Sequence, residues 1–123
     1  AVVEAYVKTA AHQELPPDTL AGIVAPWTRE QGRAAFYRQI AQADSSYTDA
    51  FQDRFDQIRA PVLILWGEED RWIPCTQAHR LHRMIHGSTL VTIPDSGHLV
   101  IEEQPARIVE EILTFFESGA QPD

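Results

Sequence analysis

Apolar residues divide the chain into a helical first half and a second half in which strands and helices alternate. Val2, Val3, Tyr6, Val7 and Ala10 recur at helical spacing, and Pro16 and Pro17 break that segment. A second short helix is predicted with Asp18 as its cap, burying Leu20, Ile23 and Val24 and ending near Pro26. Thr28, with Gln31 three positions on, reads as a capping box. It opens a third helix to about Ala43, with Phe36, Tyr37, Ile40 and Ala41 on one face. The fourth carries Tyr47, Phe51, Phe55 and Ile58 as an apolar stripe, with Asp49, Gln52, Asp53, Asp56 and Gln57 outside it.

At Pro61 the pattern changes. Val62 to Trp66 is an uninterrupted apolar run that stops at Gly67 and delivers Asp70, which suits a strand buried on both faces of a parallel sheet. Thr76 to about His86 then reads as a helix burying Ala78, Leu81, Met84 and Ile85. Thr89 to Ile93 forms a second β-branched run that stops at Pro94 and delivers His98. A last helix has Pro105 in its first turn, where a missing N–H costs nothing, and Ile108, Val109, Ile112, Leu113 and Phe116 on its apolar face, ending over Glu117, Ser118 and Gly119. Parallel strands present their carboxyl ends on one side of a sheet. Asp70 and His98 are therefore expected to face each other across one crevice.

Charge and composition narrow the function classes. A formal charge of −8 over 123 residues argues against a nucleic-acid partner, whose footprints are basic. No apolar run is long enough for a membrane span and no charged-then-apolar leader appears, so no membrane partner is expected. The single Cys75 excludes an intrachain disulfide, and the expected location is cytoplasmic. No Gly-rich phosphate loop or Cys/His constellation is present, so neither a cofactor nor a metal is expected. His79, His82 and His86 share a helix, but with Arg80 and Arg83 beside them and no Cys or acidic ligand joining them they read as solvated histidines. Cys75 reads as a small packing residue. Trp27, Phe36, Tyr37 and Tyr47 are candidates for a cavity lining, against which stands the plainer reading that each packs on a neighbouring helix.

Two turns carry a family likeness. Gly67, Asp70 and Pro74 match a Gly-x-x-Asp-x-x-x-Pro turn, and Ser96, Gly97 and His98 match a Ser/Ala-Gly-His turn. In that order, with a helix between the strands, the segment resembles the C-terminal part of the α/β-hydrolase fold, and the likeness continues through Glu103, Gln104 and Pro105. It implies an α/β fold class in which residues 1–59 are the distal part of a helical cap, residues 60–118 the C-terminal part of the core and residues 119–123 a tail. The core would contribute two parallel strands and two flanking helices. It also implies that Asp70 and His98 are the catalytic acid and histidine, with Glu68, Glu69 and Asp95 as acids that do not occupy the family position. Gly67 and Gly97 would serve the backbone.

The same family places its nucleophile on a Gly-x-Ser-x-Gly elbow upstream of the acid and histidine. Ser45, Ser46, Ser88, Ser96 and Ser118 all lack that frame. The resemblance therefore implies an N-terminal hydrolase segment, preceding residue 1, as the partner that carries the nucleophile, with a small-molecule ester or related compound as substrate. The chain alone is expected to be inactive. Two other readings stay open: a non-catalytic interaction module or self-associating fragment of the same fold, and a haloalkane dehalogenase or epoxide hydrolase with an aspartate nucleophile.

Overall fold

The two apolar runs of the second half pair directly with each other. In a computed structural model describing residues 2–118, strands β1 (Leu63–Gly67) and β2 (Thr89–Ile93) form a two-stranded parallel sheet in the register Leu63 to Thr89 and Gly67 to Ile93. Parallel neighbours need a crossover, and helix α5 (Thr76–Met84) supplies it, packing on both strands. A one-turn helix α6 (Val100–Glu103) follows the histidine turn, and α7 (Pro105–Glu117) lies against β1 with Pro105 in its first turn. Ile64, Ala78, Ile85, Ile93 and Ile108 are the buried apolar residues of this half.

Both-face burial of the first strand is not what the structure has. Ile64 and Gly67 are buried, whereas Leu63, Leu65 and Trp66 are half-buried and Thr89 at the start of β2 is exposed. Two helices and a single neighbouring strand, among the described residues, do not cover a parallel sheet. The apolar face of α7 is similarly bare: Val109, Leu113 and Phe116 are exposed.

The regular elements of the first half are all helical: α1 (Val2–Ala10), α2 (Pro17–Val24), α3 (Glu30–Ala41) and α4 (Ser46–Gln52), with a 3₁₀ turn at Ala25–Trp27 between α2 and α3 and another at Phe55–Gln57 after α4. Val3, Val7, Ala11 and Leu15 make its core, against which Leu20, Ile23, Val24, Trp27, Phe36 and, from the histidine turn, Leu99 pack. Three local expectations are corrected. Pro16, in extended conformation, caps α2 and Pro17 begins it, so Asp18 lies in the first turn. Thr28 makes no capping box: its hydroxyl donates to the Ala25 carbonyl at 2.9 Å, closing the turn that Pro26 imposes, and Arg29 precedes α3 without a side-chain cap. The fourth helix breaks where the Arg54 amide donates to the Phe51 carbonyl, tightening the last turn. Tyr47 and Phe51 consequently stand exposed, while Phe55 and Ile58 are half-buried. The expected tail at residues 119–123, with Gly119, lies outside the described residues.

Candidate active site

The strand ends deliver their polar residues to one place. Asp70 follows β1 and is buried, its side chain 4% exposed, and its Oδ2 meets His98 Nδ1 at 2.8 Å. Its other oxygen, Oδ1, accepts from the backbone amides of Trp72 at 2.8 Å and Ile73 at 2.9 Å. The short turn before Pro74 thus fixes the carboxylate at one oxygen and leaves the second aimed at the imidazole. An ionised carboxylate only accepts hydrogen bonds, so this contact assigns the proton to His98 Nδ1. Nε2 then carries the lone pair, and it makes no hydrogen bond among the described residues. The His98 side chain is 33% exposed, open enough to meet a substrate.

Asp70 alone among the four candidate acids contacts the histidine. Glu68 accepts from the Thr92 hydroxyl at 2.7 Å, and Glu69 accepts from the Ser96 amide at 3.0 Å. Asp95 has a positive φ of 54° and presents its carbonyl to the side-chain amides of Gln13 and Gln104. Ser96 is fully buried, with its hydroxyl donating to the Ile93 carbonyl at 2.8 Å. Gly67 and Gly97 have no special backbone conformation, since among the described glycines only Gly87 has a positive φ; what each has instead is a close approach of backbone where a Cβ would stand.

Several contacts have no local signature in the sequence. The Trp72 ring lies tilted on His98 at 5.0 Å between centroids and on Tyr6 at 4.5 Å, while its indole N–H donates to Thr9 Oγ1 at 3.0 Å. The His98 amide donates to the Ala10 carbonyl at 2.8 Å. The end of α1 therefore forms one wall of the site. A tryptophan two positions after the acid was the available signal; its partners on α1 were not.

The remaining candidates fall outside this arrangement. Of the aromatic candidates for a cavity lining, Trp27 and Tyr37 border a cavity of about 280 Å³ that includes neither Asp70 nor His98, Phe36 packs edge to face on Trp27 at 5.7 Å and on Tyr6 at 5.4 Å, and Tyr47 is 73% exposed. A cavity of about 900 Å³ lies between α1 and α2, bordered by Leu15, Leu20, Lys8 and Arg71, and includes neither Asp70 nor His98. His82 Nδ1 is paired with the Ser88 hydroxyl at 2.8 Å, which separates it from His79 and His86. Among the described residues the one His–carboxylate grouping with metal-like spacing is His12, Glu69 and Asp95, whose ligand atoms lie within 4.8 Å of one another. His12 Nδ1 is buried there without a partner, and Glu69 is already engaged by Ser96.

Burial pushes the Cys75 thiol up from its ordinary pKa, and the negative charges of Glu68, Asp70 and Glu69 add to the effect. A raised pKa leaves less thiolate at neutral pH, and thiolate is the reactive form. Iodoacetamide should accordingly alkylate Cys75 more slowly than glutathione at neutral pH, with the rate climbing into the alkaline range. Faster alkylation than glutathione would make Cys75 a nucleophile rather than a packing residue.

Among the described residues no helix is long and apolar enough to cross a membrane. The family model described as "Alpha/beta hydrolase family" matches residues 3–111. An alpha/beta hydrolase fold protein from Burkholderia ambifaria is 42% identical, with a TM-score of 0.86 over 92% of this chain and 42% of that one. The uncharacterized hydrolase YugF of Bacillus subtilis is 36% identical over 90 residues, 73% of this chain and 32% of YugF. Monoacylglycerol lipase ABHD6 of Rattus norvegicus is 28% identical over 93 residues, 72% of this chain and 27% of the lipase. The chain thus spans about a third or less of the length of these two relatives.

Proposed function

Since the chain belongs to the alpha/beta hydrolase family, we propose that it supplies the acid and the general base for hydrolysis of an ester or related bond in a small molecule, acting on a nucleophile carried by a segment outside these 123 residues. The observation that carries this reading is the contact of His98 with an Asp70 carboxylate already held by two amides. A hydroxyl is a poor nucleophile at neutral pH and needs a base as it attacks. His98 Nε2 takes the hydroxyl proton while the new C–O bond forms, then gives that proton to the departing alcohol as the ester C–O bond breaks. In the second half water loses a proton to the same nitrogen as its oxygen bonds to the acyl carbon, the acyl C–O bond to the nucleophile breaks, Nε2 returns the proton to that oxygen to restore the hydroxyl, and the acid product leaves. Asp70 holds the imidazole in the required tautomer and stabilises the imidazolium formed at each stage.

Two further features favour the reading. The relative named a monoacylglycerol lipase points to an ester as the bond broken. The half-covered strands and the exposed Val109, Leu113 and Phe116 of α7 offer a surface that further sheet and helix would bury.

The test uses the hydrolase that carries these residues, with p-nitrophenyl butyrate as substrate and an alkyl fluorophosphonate as the trap. Release of p-nitrophenol, stopped by a covalent label on a hydroxyl outside residues 1–123, is the expected result. A label on a serine within residues 1–123, or no ester cleavage, would falsify the proposal.

A further inference from the structure

We infer that Glu103 is a positioning residue for His98, a role that deepens the catalytic reading above and rests on it. Three consecutive amides lead into the base, and each is tied to a different part of the chain. The Ser96 amide goes to Glu69 Oε2 at 3.0 Å, the Gly97 amide to Glu103 Oε2 at 2.9 Å and the His98 amide to the Ala10 carbonyl at 2.8 Å. The middle tie does more than hold its own residue. Glu103 Oε1 accepts from the amides of His12 at 2.6 Å and Gln13 at 2.8 Å, two and three positions after the Ala10 that receives the His98 amide.

One half-buried carboxylate therefore clasps both sides of a backbone seam: the turn that bears the base and the segment leaving α1. Hydrogen bonds from backbone amides to an ionised oxygen are among the stronger ones, and Glu103 collects three. The seam has little slack, since a Cβ on Gly97 would stand 2.7 Å from the Ala10 carbonyl oxygen and 2.8 Å from the His12 nitrogen. Without the clasp, the turn keeps its anchor at Glu69, and the Ala10–Gln13 strap is held to it only by the His98 amide on the Ala10 carbonyl and the Gln13 side-chain amide on the Asp95 carbonyl, so the two sides of the seam can shift. The His98 ring then swings relative to Asp70, which is anchored independently through Trp72 and Ile73. Glu103 touches neither member of the pair and acts through Gly97, His12 and Gln13.

Glu103→Gln is the sharpest test, carried out in the intact hydrolase. The neutral amide keeps an acceptor for His12 and Gln13 but turns an NH2 group toward the Gly97 N–H. Loss of alignment predicts a fall in kcat of about ten- to a hundredfold with KM little changed. It also predicts that the downfield proton resonance of His98 Nδ1, the signature of its bond to Asp70, broadens or moves upfield. Glu103→Asp, which keeps the charge but is one methylene shorter, should fall between Gln and wild type in both measurements, and it carries the test if the Gln variant does not fold. A lowered melting temperature with wild-type kcat and an unchanged resonance in the folded variant overturns the inference. If His98→Ala retains full turnover, the base reading fails; the resonance still decides whether Glu103 aligns the pair.

Discussion

Asp70→Asn is expected to lower kcat by about four orders of magnitude and His98→Ala by about six, the scale seen when the acid or the histidine of such a constellation is removed. The reason differs between the two. Alanine at 98 removes the imidazole that takes the proton in the proposed reaction. Asparagine at 70 has nearly the shape of aspartate, and its oxygen is claimed by the Trp72 and Ile73 amides that now bind Oδ1. Its NH2 group must then face His98 and donate to Nδ1. The imidazole answers by moving its proton to Nε2, the nitrogen that has to be a base, so the site keeps its geometry and loses its chemistry. Initial rates with p-nitrophenyl butyrate, with circular dichroism to confirm the fold, measure both effects. Glu68→Gln is the companion substitution expected to leave turnover near wild type, because Glu68 is exposed and bonded only to Thr92 among side chains. Near-wild-type turnover in Asp70→Asn would mean that the Asp70–His98 contact is merely structural.

The pair itself was legible in the sequence for a physical reason. Gly67, Pro74, Pro94 and Gly97 punctuate the chain sharply, and punctuation after an apolar run marks where a parallel strand ends and which residue it hands to the crevice. Pro105 marked the start of α7 in the same way. Local motifs failed where a neighbour competed for the same atoms: the Thr28 hydroxyl, placed as a helix cap by its spacing to Gln31, is taken by the turn around Pro26. Least legible was what holds the histidine turn. The amides of His12 and Gln13 reach Glu103 across 91 and 90 positions of sequence, and Trp72 reaches Thr9 across 63. Backbone amides carry no residue identity, so a clasp made of them leaves no pattern of side chains to read. The carboxylate at 103 was visible as part of a family likeness, but its partners were not.

Gly67→Ala is expected to destabilise the protein by about 3 kcal/mol, the upper part of the usual overpacking range, and to lower kcat by about a hundredfold in whatever folds. The glycine ends β1 where the two turns cross. A Cβ there would stand 2.3 Å from the Gly97 carbonyl oxygen, 2.5 Å from the Ser96 carbonyl oxygen and 2.8 Å from the Ser96 carbonyl carbon. All three are backbone atoms, so no side chain can rotate away. Nor can the turns separate freely, because the Glu68 amide donates to Ile93 at 3.0 Å and the Glu69 amide to Ser96 at 3.0 Å. Relief must therefore open the gap between the Asp70 and His98 turns, and their 2.8 Å contact is what stretches. Gly22→Ala, within α2 and with nothing inside 4 Å of its Cβ, should do the reverse and stabilise by up to ~1 kcal/mol through helix propensity. Urea unfolding of the two variants beside wild type, with rates on the same samples, separates the outcomes. A Gly67→Ala protein as stable and as active as wild type would mean that the two turns are not in contact as described.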